Sequence, residues 1–312
     1  MKEMLTLVRR ELMEHRAGWL VPAVFGALFV LVQLLTVFGL SRVGLSDRAV
    51  IMNDAQVTLE VLAAQADAMG AQATLLILLL PMAMTLALVV SIVVVFYLLD
   101  ALYADRKDRS ILFWKSLPVS DLQTVGSKYL TGLLAMPAQA VAVFVLVAVL
   151  SWILIGLTML WAGSGQFLVQ GPLAALKVIV IMVYSLLAIG LWLAPVHGWL
   201  LLVSAYARRA VLGWAVLPPV LLIVAEKIVF DSRHFATLLV ARFSGGLELA
   251  LSNEGNTMVN IDDDVVIAAF PTLAEFLTPG RLLSAPGLWI GLAVALAFLA
   301  GAVWLRRWRD ET

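Results

Sequence analysis

The chain of 312 residues is 62% hydrophobic and only 13% charged, with a mean hydropathy of +1.00. A soluble domain is about half apolar and about a quarter charged, so this composition predicts a protein whose solvent is the lipid bilayer. The formal net charge is zero, and no nucleic-acid partner is expected. The sequence contains no cysteine, which excludes disulfides, thiolate metal sites and cysteine nucleophiles.

The first predicted element is an amphipathic helix over residues 1–17. Met1, Leu5, Val8 and Leu12 recur at helical spacing, and the charged residues fall largely on other faces. This pattern is typical of a helix that lies in the membrane interface. An ordinary basic flank before the first span is the alternative interpretation. The mixed charge and the lack of a small-residue cleavage site argue against a cleavable signal.

A helix needs about 20 apolar residues to cross the hydrocarbon core, and six apolar segments of the chain approach or exceed this length. They predict an all-α integral membrane protein with a single transmembrane domain over residues 1–312. The fifth span is short unless it continues toward Phe230, and Pro218 and Pro219 are expected to kink it because proline removes a backbone donor. The predicted spans are Trp19–Leu40, Thr74–Leu99, Tyr129–Ile155, Val178–Val203, Val211–Ala225 and Leu288–Leu305.

The basic residues predict how these spans are oriented. Most of the 21 lysines and arginines lie before span one, between spans two and three, between spans four and five, and after span six. Basic residues are enriched in cytoplasmic loops, so both termini and the loop over residues 100–128 are expected in the cytoplasm. The expected location is the bacterial cytoplasmic (inner) membrane.

Two large segments are predicted on the outer side. Ser41–Ala73 contains a helix near Asp47–Met69, which either stands alone or extends spans one and two beyond the membrane. Residues 226–287 begin with a helix candidate, His234–Leu251, and prolines at 271, 279 and 286 break the remainder into short pieces.

No metal site is expected, although Asp262, Asp263 and Asp264 are consecutive acidic residues. Consecutive side chains cannot all face one ion in regular structure, and no calcium-loop spacing follows. We interpret this run as a solvated loop.

The loop between spans two and three has an unusual order of residues. Five charged residues, Asp105–Arg109, precede an apolar patch that ends at Pro118. Ser110 and Asp121 are helix-capping residue types, so a short helix over Ser110–Leu117 is predicted. Its aromatic centre either fills a groove on a cytoplasmic partner or anchors the loop among lipid headgroups.

This stretch resembles the first cytoplasmic loop of ABC-2 type transporter permeases. That family has a charged run, a short coupling helix, a Pro-Val-Ser-like turn and a lysine before the next span. Here these are Asp105–Arg109, Ser110–Leu117, Pro118-Val119-Ser120 and Lys128. The usual Glu-Arg-Glu and Gly-Thr are replaced by Asp-Arg-Lys-Asp-Arg-Ser, which places the chain in a divergent branch. The six-span layout, the N-terminal interfacial helix and the broken outer segment match the family across the whole chain.

The resemblance implies a machine of four subunits, with two permeases, expected as a homodimer, and two copies of a cytoplasmic ATPase that binds ATP and Mg. The coupling helix would dock into a cleft of the ATPase through Ser110, Ile111, Leu112, Phe113, Trp114, Lys115, Ser116, Leu117 and Pro118. A second contact with the ATPase would come from Arg9, Arg10, Arg106 and Arg109. The chain itself has no G-x-x-x-x-G-K-[ST] phosphate loop, so the ATPase is expected on a separate chain. Neither catalytic residues nor a cofactor are expected in this chain.

The predicted spans contain few ionisable residues, which argues against a proton- or ion-coupled carrier. His197 follows Pro195 in span four and is the candidate residue on a transport pathway. The alternative is that its ring bonds a local carbonyl group.

The leading functional interpretation is an exporter permease for an amphiphilic or hydrophobic substrate, such as a lipid, a peptide or a drug-like compound. A membrane component of a sensing or immunity complex would use the same loop, and sequence does not separate the two. An intramembrane enzyme is disfavoured because the chain has no H-E-x-x-H, no G-x-S-x-G and no paired intramembrane aspartates.

Overall fold

A computed structural model describes residues 2–37, 51–107, 119–161, 165–251 and 276–308. These residues are almost entirely helical, apart from an isolated β-bridge between Leu251 and Leu277. A π-helical turn, Thr131–Ala135, joins the helices Asp121–Leu130 and Met136–Trp161. The helices are α1 (Lys2–Glu14), α2 (Ala17–Val37), α3 (Ile51–Lys107), α4 (Asp121–Leu130), α5 (Met136–Trp161), α6 (Gln166–Trp192), α7 (Ala194–Tyr206), α8 (Val211–Phe230), α9 (His234–Ala250), α10 (Pro279–Ser284) and α11 (Pro286–Trp308).

Six helical segments in the described part of the chain are long and apolar enough to cross a membrane, which confirms the prediction of an all-α, multi-pass membrane protein. The fifth continues to Phe230 and passes through Pro218 and Pro219 as a single helix. The six segments are Ala17–Leu35, Ile77–Lys107, Asp121–Leu160, Phe167–Trp192, Val211–Phe230 and Pro286–Trp308.

The fourth span was predicted too far along the chain, at Val178–Val203. The apolar segment is Phe167–Trp192, and the helix α6 ends at Trp192. The next helix, α7, has Pro195 in its first turn. A proline has no amide hydrogen and its ring crowds the carbonyl four residues earlier, so the first turn of a helix is a favourable place for it, and a new helix begins here. The sequence prediction treated the two helices as one.

The outer helix predicted near Asp47–Met69 is continuous with the second span. The helix α3 runs for 57 residues from Ile51 to Lys107, so the interpretation that this region extends a span is confirmed for span two. The residues that connect α2 to α3 lie outside the described part of the chain. The helix predicted at His234–Leu251 is confirmed as α9.

The core lies where α3, α5, α6 and α7 meet. Its largest fully buried side chains include Phe144, Leu86 and Met182. The helices α7 and α11 approach closely at Gly198, where an added Cβ would lie 3.0 Å from the Ala295 carbonyl oxygen. In a membrane no hydrophobic force drives helices together, so their association depends on close packing, which small residues allow. The helix α11 is therefore held along α7.

Candidate functional site: the stems of the loop over residues 108–118

The predicted coupling helix lies outside the described residues, but both of its stems are described. The helix α3 ends at Lys107, and α4 begins at Asp121. The Ser120 side chain accepts a hydrogen bond from the Gln123 amide, and the Gln123 side chain accepts one from the Ser120 amide. This capping box satisfies amide groups that the first turn of α4 would leave unpaired. The position at which the loop re-enters the helical bundle is therefore well defined.

Lys128 is the first centre of a buried ionic network beside these stems. Its side chain is only 3% exposed, and its ammonium nitrogen lies 3.0 Å from Glu11 Oε1 and 3.4 Å from Asp105 Oδ1. Glu11 belongs to α1, and Asp105 lies on the last turns of α3. A single lysine thus connects the N-terminal helix to the stem that enters the loop.

Arg306 is the second centre of the network. Its Nε atom lies 3.0 Å from Asp121 Oδ1, and a terminal nitrogen lies 3.3 Å from Asp105 Oδ2. Arg306 is near the C-terminal end of α11, and its side chain is 4% exposed. It therefore connects both stems of the loop to the last span. We call Glu11, Asp105, Asp121, Lys128 and Arg306 the stem cluster.

Tyr97 completes the coordination of Glu11. Its hydroxyl donates a hydrogen bond to Glu11 Oε2 at 3.1 Å, so both carboxylate oxygens of Glu11 have partners. The apolar face of α1 was predicted to lie in the membrane interface, and Leu5 on that face is 66% exposed, whereas Glu11 is 5% exposed. The helix α1 is thus attached to the bundle through a carboxylate.

Arg106 fastens the end of α3 to the end of α7. Its guanidinium donates to the carbonyl oxygens of Ser204 and Ala207, the latter at 2.9 Å. The amides of Leu102 and Tyr103 both lie 3.0 Å from Ser204 Oγ. A cation at a helix C-terminus satisfies free carbonyl groups and is favoured by the helix dipole.

The stem cluster contains three carboxylates and two cations from four helices, α1, α3, α4 and α11. Buried charges are costly to remove from water, so each becomes strongly dependent on its partners. Loss of Lys128 would remove the lysine partner of Glu11, and loss of Arg306 would remove the arginine partner of Asp121, while Asp105 would keep one of its two cations. The cluster therefore makes the two loop stems, the N-terminal helix and the end of α11 one mechanical unit.

A cleft of about 420 Å³ lies next to this unit, between the first turn of α4 and the end of α11. Among its lining residues, Leu122 is 68% exposed, whereas Arg306 is buried and paired with Asp105 and Asp121. The cleft is lined by Val119, Ser120, Asp121, Leu122, Val303, Arg306 and Arg307. The surface beside the loop therefore offers both apolar and charged groups.

The structure describes only some of the residues that were predicted to dock an ATPase. Ser110 to Pro118 and Arg109 lie outside the described residues, and their role stays a prediction. Arg9 is exposed, and Arg10 pairs with Glu14 at 2.6 Å. Arg106 points into the subunit toward α7. Its contact with a partner also stays a prediction.

His197 is buried in α7, with 6% of its surface exposed. Its ring Nδ1 has no hydrogen-bond partner among the described residues. Its backbone amide donates to the Leu193 carbonyl in the ordinary helical way. The predicted role of His197 on a transport pathway stays a prediction.

Sequence reasoning missed the stem cluster. Glu11 was not singled out in the sequence, and Arg306 counted only among the basic residues after span six. Lys128 was noted for its position in the loop pattern, but its partners Glu11 and Asp105 lie 117 and 23 residues away in the sequence. The one local signal was Lys128 itself, a cation placed just before an apolar run.

Residues 70–188 match the family described as ABC-2 family transporter protein. The matched part covers most of α3, the loop, α4, α5 and most of α6, which is less than half of the chain. It supports an ABC-2 type permease, the membrane component of an ABC transporter, and so confirms the resemblance found in the loop. Such components are not themselves catalytic, and the family implies association with an ABC ATP-binding subunit. No curated protein and no solved structure shows a significant match to the chain.

Proposed function

We propose that this chain is the permease of an ATP-driven exporter and that a separate ATPase docks onto the loop over residues 108–118. The single observation that supports this most strongly is the position of the stem cluster. A loop that only connected two spans would not need both its stems tied to α1 and α11 by buried ions. A loop that transmits force needs a rigid attachment.

In this mechanism, closure of an ATPase dimer moves the coupling helix, and the stem cluster passes this motion to the bundle. Asp105 and Asp121 are on the two stems, and Arg306 binds both. A displacement of the loop is therefore applied to α11 directly and, through Lys128 and Glu11, to α1. The permease is expected to act as a homodimer with two ATPase copies.

The proposed substrate is amphiphilic or hydrophobic, because the spans present apolar side chains with few ionisable groups. The direction proposed is export from the cytoplasmic side of the bacterial inner membrane. Stimulation of ATP hydrolysis by lipids, hydrophobic peptides or drug-like compounds in the reconstituted complex supports this substrate class. An unchanged rate across all three classes would contradict it.

Affinity purification from the native host in mild detergent tests the docking role. The wild-type chain is expected to retain an ATP-binding subunit and to hydrolyse ATP. The double variant Phe113→Glu, Trp114→Glu is expected to lose both, because two charges replace the apolar centre of the docking helix. The matched control, Phe113→Leu with Trp114→Phe, keeps the apolar surface and should retain the subunit. If wild type purifies without an ATPase, the proposal is wrong.

A further inference from the structure

The helix α9 is attached to the bundle by a single narrow stripe. Its buried residues are Arg242, Gly246 and Ala250, which follow one another at intervals of four. On α6 the facing buried residues are Ala188 and Trp192, and Leu288 of α11 belongs to the same small cluster. The fully buried stripe is one side chain wide, and half-buried residues such as Leu247 and Leu249 flank it.

Arg242 makes the specific contacts of this stripe. Its guanidinium donates to the Trp192 carbonyl oxygen at 3.3 Å and to the Gly287 carbonyl oxygen at 2.5 Å. Its central carbon lies 4.6 Å from the centroid of the Trp192 ring, within the range of a cation–π interaction. The Trp192 indole in turn donates to the Ala241 carbonyl oxygen at 3.2 Å. We call Arg242, Trp192 and the Gly287 carbonyl the α9 clamp.

Two glycines allow the clamp to close. A Cβ at Gly291 would lie 2.7 Å from both terminal nitrogens of Arg242, and a Cβ at Gly246 would lie 2.9 Å from Trp192 Cδ1. Real Cβ atoms do not approach heavy atoms this closely, so an alanine at Gly291 would displace the Arg242 guanidinium and one at Gly246 would displace the Trp192 ring. The clamp is therefore a fitted contact between α9, α6 and α11.

The apolar contribution to the attachment of α9 is small. Gly246 has no side chain, and Ala250 contributes only one methyl group. Three of the large apolar residues of α9 face away from the clamp: Leu238, Val240 and Phe243 are 56%, 65% and 67% exposed. Leu249 is half-buried beside the clamp. Among the fully buried residues of α9, only Arg242 makes polar side-chain contacts with α6 and α11, and the attachment depends mainly on them.

Those polar contacts are of moderate strength, because both hydrogen-bond acceptors of Arg242 among the described residues are neutral carbonyl groups. Removal from water lowers the pKa of the Arg242 guanidinium below its ordinary value. A charge that has lost water and has gained only neutral partners returns to water at less cost than an ion-paired one.

Both ends of α9 are tethered by hydrogen bonds. At the first end, Glu226 accepts from the amides of His234 and Phe235 at 2.8 and 2.9 Å, next to Asp231 with a φ of 48°. At the second end, the Thr278 amide and hydroxyl donate to the carbonyls of Ala250 and Leu249. A helix fixed at its ends and weakly attached along its length has the properties of a strap with a low cost of local opening.

We propose that α9 is a strap over the first turn of α11, that Arg242 holds it shut, and that it lifts during the ATP-driven cycle. The last part rests on the proposed permease function. The route by which the motion reaches the strap is α11 itself, since Arg306 binds the loop stems at one end of this helix and Arg242 binds Gly287 at the other.

Cysteine labelling tests whether Arg242 holds the strap shut. Because the sequence contains no native cysteine, only the introduced cysteine reacts. Leu288, which is 1% exposed, is replaced by cysteine as a reporter. Detergent-purified protein is then treated with a hydrophilic maleimide. Slow labelling is expected with Arg242 intact, and at least a tenfold faster rate with Arg242→Ala. Equal rates would overturn the proposal.

A second reporter separates local opening from loss of structure. Ala140→Cys lies in the core at 0% exposure and should stay unlabelled in both backgrounds. If Arg242→Ala exposes both cysteines, the chain has unfolded. The labelling is then repeated with Arg242→Lys: faster labelling of Leu288→Cys alone supports the proposal, and an unchanged rate overturns it. A lysine keeps the charge but cannot bridge both carbonyls as a planar guanidinium does, so an intermediate rate is expected.

The motion in the transport cycle is tested on the complex with its co-purified ATPase. ATP with vanadate should raise the labelling rate of Leu288→Cys several-fold with Arg242 intact and leave Ala140→Cys unlabelled. An unchanged rate in a complex that hydrolyses ATP would overturn the lifting step. Because hydrolysis is measured in the same sample, failure of the strap is distinguishable from failure of the permease assignment.

Discussion

Arg306 and Arg242 bind near opposite ends of α11, and the chemistry of the two contacts differs. Arg306 is paired with two carboxylates and forms part of a five-residue ionic network. Arg242 donates to two backbone carbonyls and lies against one tryptophan ring. One end of α11 is thus held by ion pairs and the other by neutral partners, which is the difference that the proposed force transmission and the proposed strap require.

The elements around the two arginines differ in the same way. The stem cluster joins four helices, and its lysine and arginine side chains are no more than 4% exposed. The helix α9 is held by three buried residues, one of which has no side chain. Ion pairs in a buried network are strongly interdependent, whereas a single stripe opens once its main contact is lost.

The largest expected effect is at the stem cluster. Arg306→Met would leave Asp105 and Asp121 without their shared cation, which should lower the free energy of unfolding by about 3–5 kcal/mol. A denaturant titration in mixed micelles measures it. The matched control is Arg307→Met, at the exposed neighbouring position, where a change within about 0.5 kcal/mol is expected. Equal losses at the two positions would show that the ionic network contributes nothing beyond surface charge.

An intermediate effect is expected at the α9 clamp. Gly246→Ala would force a methyl group against Trp192, including its Cβ at 3.2 Å, and overpacking of this kind costs about 1–3 kcal/mol. The control is Gly280→Ala in α10, where an added Cβ meets nothing within 4 Å. The same titration, together with labelling of Leu288→Cys, measures both variants. If the Gly246→Ala protein is as stable as the control and its Leu288→Cys is labelled as slowly, the clamp accommodates the added methyl group and the expectation is wrong.

The smallest expected effect is at the start of α4. Ser120→Ala removes the capping box and should cost about 1 kcal/mol, because the first-turn amides lose their side-chain acceptor. The control, Ser244→Ala on the exposed face of α9, removes only a hydrogen bond to its own helix at Val240. Their difference in unfolding free energy checks the expectation. No difference would indicate that water replaces the cap without loss.

The helices were predictable because membrane spans depend on local apolar runs. Spans one, two, three and six were recovered from these runs, and the loop resemblance led to the family that the match over residues 70–188 supports. The fourth span was misplaced because Pro195 ends one apolar helix and starts another without any change in hydropathy. Hydropathy does not register a break between two apolar helices.

The two arginine sites could not be predicted in the same way. Arg306 meets residues 185 and 201 positions away, and Arg242 meets backbone carbonyls 50 and 45 positions away. A contact with a carbonyl leaves no mark in the side-chain sequence, since every residue has one. The glycines at 246 and 291 were visible, but nothing local shows which side chain requires the space.

The most direct test of the account is photo-crosslinking at position 114 in living cells. A photoreactive amino acid in place of Trp114 is predicted to form an adduct with a protein whose sequence contains the G-x-x-x-x-G-K-[ST] phosphate loop, identified by mass spectrometry. The same substitution at the exposed Trp289, at the start of α11, is predicted to form none. An adduct with such an ATPase at position 114 alone would establish the docking role. Adducts with lipid only, or no adduct at all, would contradict it.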